Sequence, residues 1–283
     1  MKLIVVVLLV LSLSAFSEVR TGGGSGHNPS ALTRGTYTFV DMYAVGLTQS
    51  YGLAIQDNVA DRIWISNYGT KMNNQFDMTS GSATGTTFSI TNSIDADDQA
   101  YCVYSGGNQF FFGDWISSAI GVFDETGNYI KTIPGPGGSW AKATGTAAGH
   151  DMLYCSDFDT TVAEIAWGGP YTGTETSVTW TTASFKSVSG MSVYGDYLIV
   201  CCQIKDADNI FIFEINSDGS VNMTPVWSTN FVLENMNSAG GVDYDGTYLW
   251  LYPQNTSLYK LTIDFNFSSS FETSTWGQIK NSF

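Results

Sequence analysis

The chain has 283 residues, 43% hydrophobic and 13% charged, and its 11 Lys and Arg stand against 26 Asp and Glu for a formal net charge of −15. The basic residues are scattered, whereas a nucleic-acid binder needs a cationic patch to displace counterions from phosphates, so nucleic acid is excluded as a partner class. No helical periodicity of useful length occurs, which leaves an all-β chain as the reading.

In chain order, Met1-Lys2, an apolar run from Leu3 to Leu11 and the small-residue stretch Ser12 to Ser17 have the layout of a secretory signal peptide, residues 1–17. The run is too short to cross a bilayer, which takes about 20 helical residues, and no later stretch is long and uniformly apolar, so no membrane span is expected. A secreted protein, extracellular or periplasmic, follows from this, and a monomer is expected. Residues 18–35, with Thr21-Gly22-Gly23-Gly24-Ser25-Gly26 at their centre, read as a flexible lead-in. Residues 36–283 then form one domain with no internal linker.

Within that domain one phrase recurs about every 40 to 50 residues: a small-residue strand, a turn, a strongly apolar strand, a polar loop, a third strand and an Asp/Gly turn. The first copy runs Gly52-Leu53-Ala54-Ile55, Arg62-Ile63-Trp64-Ile65-Ser66 and Gln75-Phe76-Asp77. The second runs Ala100-Tyr101-Cys102-Val103, Phe110-Phe111-Phe112-Gly113, Ile120 to Asp124 and Tyr129 to Ile133. The third takes Gly145 to Gly149, Met152 to Ser156, Val162 to Ala166 and Val178-Thr179-Trp180. The fourth takes Gly190 to Tyr194, Tyr197 to Val200 and Ile210 to Glu214, and the fifth Gly240 to Tyr244, Tyr248 to Leu251 and Leu258 to Leu261.

A four-strand antiparallel unit repeated every ~45 residues is the period of a β-propeller. Five blades are favoured, with six as the alternative if the tail Ser274 to Phe283 adds strands. The fifth copy lacks a fourth strand, and Tyr37-Thr38-Phe39-Val40 is placed to supply it and close the ring. Thr275-Trp276-Gly277-Gln278-Ile279-Lys280 reads as a short turn of helix, a clasp on the ring or a docking tag. Gly and Ala crowd the first strand of each copy because innermost strands approach one another around the central channel. The second strand is bulky because it packs against both neighbouring blades.

The phrase Gly241-Val242-Asp243-Tyr244-Asp245-Gly246-Thr247-Tyr248-Leu249-Trp250-Leu251, with Ser257 to Leu261 after it, resembles the blade repeat of secreted bacterial propellers of the NHL-like and TolB-like kind. That resemblance implies the fold and little about activity.

Cys102, Cys155, Cys201 and Cys202 each lie in an apolar strand-like run and read as small buried hydrophobes, with one disulfide as the alternative. A zinc site would want Cys-x-x-Cys or histidine partners, and neither is present.

Candidate chemistry falls where second strands end. Ser66-Asn67-Tyr68, Gly113-Asp114-Trp115 and Ser156-Asp157-Phe158 repeat an amide or carboxylate followed by an aromatic. Around one rim these would hydrogen-bond and stack a glycan, a peptide or a protein segment. The competing reading is that Asn67, Asp114 and Asp157 cap their own turns while the rings pack between blades. The same face is expected to carry Asp206, Tyr252 and Trp140. Asp206 and Asp208 together offer oxygens to calcium, without the rest of a binding loop; no other cofactor is implied. His27 falls in the lead-in and His150 on the opposite face, so no Ser-His-Asp set forms. The expectation is a binding module that presents this rim to its ligand. The alternative is a five-bladed glycoside hydrolase using Asp114 and Asp157. The five-bladed glutaminyl cyclases are a further comparison, but no glutamate stands in the second strand of the first copy.

Overall fold

The computed structural model describes residues 33–267, apart from 104–106, 118, 135–145, 150–151, 157, 159–160, 167–175, 182–186, 205–206, 223, 232–239 and 254–256. Two N-terminal strands, β1 (Thr33–Arg34) and β2 (Tyr37–Tyr43), precede the repeats. The first blade is β3 (Ser50–Ile55), β4 (Arg62–Asn67), β5 (Met72–Asp77) and β6 (Ala83–Ser89). The second is β7 (Ala96–Cys102), β8 (Gln109–Asp114), β9 (Ala119–Asp124) and β10 (Tyr129–Pro134). The third is β11 (Thr146–Gly149), β12 (Met152–Ser156), β13 (Thr161–Ala166) and β14 (Thr176–Thr181). The fourth is β15 (Val188–Tyr194), β16 (Tyr197–Cys202), β17 (Ile210–Glu214) and β18 (Trp227–Thr229). The fifth holds β19 (Gly241–Tyr244), β20 (Leu249–Tyr252) and β21 (Leu258–Ile263).

Each blade is an antiparallel sheet in chain order, and β2 completes the fifth by pairing with β21 from Tyr37↔Ile263 to Tyr43↔Leu258. The ring therefore has five blades and is closed by its N-terminal strand, as the sequence predicts. β1 pairs in parallel with β18, so Thr33 and Arg34, at the end of the Gly-rich lead-in, also belong to a sheet. Asp264 pins this crossing from the fourth blade to the fifth. It accepts the Thr36 N–H and O–H at 2.9 Å and the Trp227 indole N–H at 2.8 Å.

The core lies between the blades, and alternation along each second strand builds it, because successive strand side chains point to opposite faces. Ile63 and Ile65 pack against the fifth blade while Trp64, between them, packs against the second. Phe110 and Phe112 face the first blade and Phe111 the third. Leu249 and Leu251 face the fourth blade, and Trp250 and Tyr252 face the first. Five apolar clusters result, one per interface, and the Trp250–Ile63 cluster proves closure because it joins the last blade to the first. The cysteines fit the same scheme: no disulfide joins them, and adjacent Cys201 and Cys202 point into different interfaces.

Candidate functional site

Antiparallel strands put the loops after second and fourth strands on one face and those after first and third strands on the other. Asn67, Tyr68, Asp114, Trp115, Phe158 and Tyr252 belong to the first of these faces. There the polar members hold their own turns. Asn67 donates its amide to Thr48 O and accepts the Thr70 N–H. Asp114 accepts the Ile116 N–H at 2.8 Å on one oxygen and the Ser117 hydroxyl at 2.7 Å on the other. Tyr252 is fully buried, with its phenol against the Ser50 hydroxyl. The aromatics do gather: Trp115 of the second blade meets Phe158 of the third edge-on at 5.6 Å, and Tyr68 stacks edge-on with Tyr51 beneath Lys71. Asp157, Trp140, Asp206 and His150 lie outside the described residues. Asp208 is taken up by the Ser228 hydroxyl and by Arg34.

At the axis, the innermost strands meet as the glycine pattern requires. A Cβ on Gly190 would lie 2.3 Å from Gly240 O, and one on Gly241 would lie 2.3 Å from Leu53 N. In the second blade this position holds Asp98, whose carboxylate accepts the Thr146 N–H at 2.8 Å and the Met191 N–H at 3.0 Å, tying three blades together. Its other oxygen is buried without a hydrogen-bond partner. Burial holds the Asp98 carboxyl well above its usual range, against the pull of those N–H groups.

Toward the face of the first-to-second-strand loops the axis opens into a chamber of about 30 Å³, lined by Gln99, Ser192, Tyr194, Asp243 and Tyr244 with Asp57 at its mouth. Asp57 also lines a groove of about 380 Å³ between the first and fifth blades, whose other walls include Asp61, Thr79, Tyr248 and Lys260. The β3–β4 loop that carries Asp57 is fastened on both sides. Gln56 accepts the Trp64 indole N–H at 2.9 Å, and Asn58 accepts the Tyr101 hydroxyl at 2.7 Å while donating to Glu125. Across the groove Asp245 accepts the Trp250 indole N–H and the N–H groups of Thr247 and Tyr248, which fixes the Tyr248 ring. Lys260 Nζ lies over that ring at 4.1 Å and over Trp250 at 5.1 Å, within cation–π range.

Asp243 accepts the Ile55 N–H at 2.7 Å and the Tyr244 N–H at 2.8 Å. Burial, and then the nearby charge of Asp57, push its carboxyl up to about 8. Burial also pushes Asp57 up to about 6, an effect tempered by solvent because the residue is exposed as a whole. The chamber thus places two mutually repelling carboxyls beside neutral oxygens, an arrangement able to hold a proton or a cation. Among the described residues, no three or more His, Cys, Asp or Glu gather as a metal-ligating group.

Sequence reasoning pointed to the opposite face and did not single out Asp57, Gln99, Ser192, Asp243 or Lys260. The legible signal is a carboxylate where other blades carry a small residue in the innermost strand: Asp98 against Gly52, Gly190 and Gly241, and Asp243 against Ala54, Ala100 and Ser192.

No protein-family model matches the chain, and no curated protein matches it. Among solved structures it is similar to the glutaminyl cyclase of Myxococcus xanthus, with a TM-score of 0.61 at 10% identity over 83% of this chain and 99% of that one. It also matches the PQQ-bound aldose sugar dehydrogenase of Streptomyces coelicolor, with a TM-score of 0.45 at 12% identity over 82% of this chain and 99% of that one. A virginiamycin B lyase of Staphylococcus aureus matches with a TM-score of 0.46 at 12% identity, over 80% of this chain and 99% of that one. At such identity the first of these likenesses establishes the architecture and nothing finer: the chain is a five-bladed β-propeller.

Proposed function

We propose that this chain is a secreted binding module that takes a small polar ligand, of the glycan or peptide kind, in the groove between the first and fifth blades. The observation that carries this reading is the groove itself. It is concave, offers the carboxyls of Asp57 and Asp61 beside the Thr79 hydroxyl, and sets Lys260 upon the Tyr248 ring at one wall. Convergent polar groups in a preformed concavity are what orient a small ligand. The loops on both sides are held by hydrogen bonds before any ligand arrives, which limits the ordering cost of binding.

The signal-like N-terminus supports an extracytoplasmic setting, and the acidic balance favours neutral or cationic ligands over anionic ones. The rim around Trp115 and Phe158 remains a second surface of apolar character, but Asn67 and Asp114 there already hydrogen-bond neighbouring loop groups. A hydrolase built on Asp114 gains no support, since both oxygens of that carboxylate already accept hydrogen bonds.

A glycan and peptide array probed with the full chain tests the reading. For any ligand found, Asp57→Asn and Lys260→Ala are expected to weaken binding roughly tenfold each, about 1.4 kcal/mol, and Trp115→Ala to leave it unchanged. Loss on Trp115→Ala with no effect of the other two would move the site to the opposite rim and overturn the proposal. An array with no signal would overturn it too.

A further inference from the structure

The axial chamber contains buried oxygens that its own protein surroundings leave unsatisfied. Gln99 is fully buried and turns its amide nitrogen to the carbonyls of Gly52 and Trp64, at 3.3 and 3.0 Å, leaving Oε1 with no partner. Ser192 is 6% exposed, and its hydroxyl makes no well-aligned hydrogen bond, although it lies near enough to Asp243 to favour the carboxylate. A buried polar atom left in this state is destabilising, so two of them in one small chamber call for an occupant. Asp243 adds a carboxylate with one N–H on each oxygen and lone pairs to spare, and Asp57 adds another at the mouth.

We propose that the chamber binds one hard divalent cation of the calcium kind, ligated by the carboxylates of Asp243 and Asp57, the Gln99 amide oxygen and the Ser192 hydroxyl. All four groups offer oxygen and none offers sulfur or imidazole, which selects hard cations over zinc or copper. Two carboxylates balance a double positive charge. The chamber, at about 30 Å³, has room for one ion with a water or two. Calcium takes roughly 6–8 oxygens, so bidentate carboxylates and waters at the open Asp57 side complete the shell. The ligands come from the first, second, fourth and fifth blades, so the ion would bridge four of the five blades at their narrowest point. This site is separate from the ligand in the groove, with which it shares only Asp57.

The test uses the full chain, stripped with a chelator, then titrated with CaCl2 by calorimetry and melted with and without the metal. One calcium per chain is expected, with a rise in Tm. Asp243→Asn is expected to weaken binding about 100-fold and Ser192→Ala about tenfold, the range that loss of a ligand or its support produces. The double variant Asp206→Asn, Asp208→Asn should bind as the parent does. Lys260→Ala, which addresses only the groove, should also leave calcium binding intact. The absence of both heat and a Tm shift at about 10 mM CaCl2, beyond the weak end of calcium modules, would overturn the proposal and leave water as the occupant. Undiminished binding in a folded Asp243→Asn would overturn it, as would loss in the Asp206 and Asp208 variant. If Asp243→Asn does not fold, Asp57→Asn and Ser192→Ala carry the same decision.

Discussion

Gly241 shows how little room the innermost strands leave. Its missing Cβ would lie 2.3 Å from Leu53 N and 2.4 Å from Leu53 Cβ, contacts with the first blade that no rotamer change can relieve. Gly85 makes a useful contrast: it has φ 86° but nothing within 4 Å of an added Cβ, so a side chain there meets only backbone strain. Gly241→Ala is therefore expected to lower stability by roughly 1–3 kcal/mol, the usual penalty of overpacking, and Gly85→Ala by about 1 kcal/mol, the left-handed backbone penalty alone. Denaturant midpoints at unchanged slope measure both, and a neutral Gly241→Ala would mean that the ring can dilate at its axis. The same crowding makes Asp98 informative. Its carboxylate stands where three other blades have hydrogen, and it reaches the Thr146 and Met191 N–H groups because that part of the ring lies open to it.

Among elements, β2 carries the largest consequence for its length. It contributes no residue to an interface cluster except the half-buried Tyr37 and Tyr43, yet it supplies the fifth blade's outer strand and, through Thr36, the bond to Asp264. A chain that begins after Tyr43 leaves β21 as an unpaired edge, and exposed edges template association. Such a chain is expected to melt at lower temperature and to aggregate at concentrations where the full chain stays monodisperse in light scattering. Asp264→Ala, which removes the pin alone, is expected to lower Tm without aggregation. A truncated chain as stable as the parent would show that the apolar cluster between the fifth and first blades is sufficient for closure. Legibility in the sequence follows the same physics. β8 and β20 were readable because a strand buried on both faces must be continuously apolar, as Phe110-Phe111-Phe112 and Leu249-Trp250-Leu251 are. β6, exposed along nearly its whole length, carries no such demand and left no trace, and β18, though buried, is three residues long with Ser228 and Thr229 polar, too short and too polar to show as an apolar run. The chamber was hidden for a related reason. Asp243 lies in the first-strand phrase Gly240 to Tyr244, which marks a strand and no cavity, and only the neighbouring blades turn it into a wall of the axis.

At the scale of the whole molecule, the carboxyls divide into two groups with opposite effects on stability. Asp77 is held below the usual range by the Ser80 N–H and hydroxyl. For Asp264 burial opposes ionisation, but the Trp227 indole and the Thr36 groups outweigh it and lower the carboxyl. Stability from these groups is full above the ordinary carboxyl value of 3.8 and is lost as pH falls through their depressed values. Asp243 works the other way. Its proton is bound more tightly in the folded chain, so its contribution is full below 3.8 and is lost progressively as pH rises toward about 8. The stripped protein is thus expected to have its highest Tm in mildly acid solution, with a decline on the alkaline side that Asp243→Asn reduces, the raised Asp98 carboxyl supplying the remainder. The comparison needs constant ionic strength, since salt screens the self-repulsion of a chain with a net charge of −15. Calcium should reverse the alkaline decline in the parent, because ligands must shed their protons to bind metal and affinity therefore rises with pH. In Asp243→Asn it should change little. Melting curves at pH 4, 6 and 8, with chelator and with calcium, decide the matter. A Tm of the stripped parent that climbs from pH 4 to pH 8 would mean that Asp243 is ionised without any counter-ion, and that the chamber is more open to water than its walls imply.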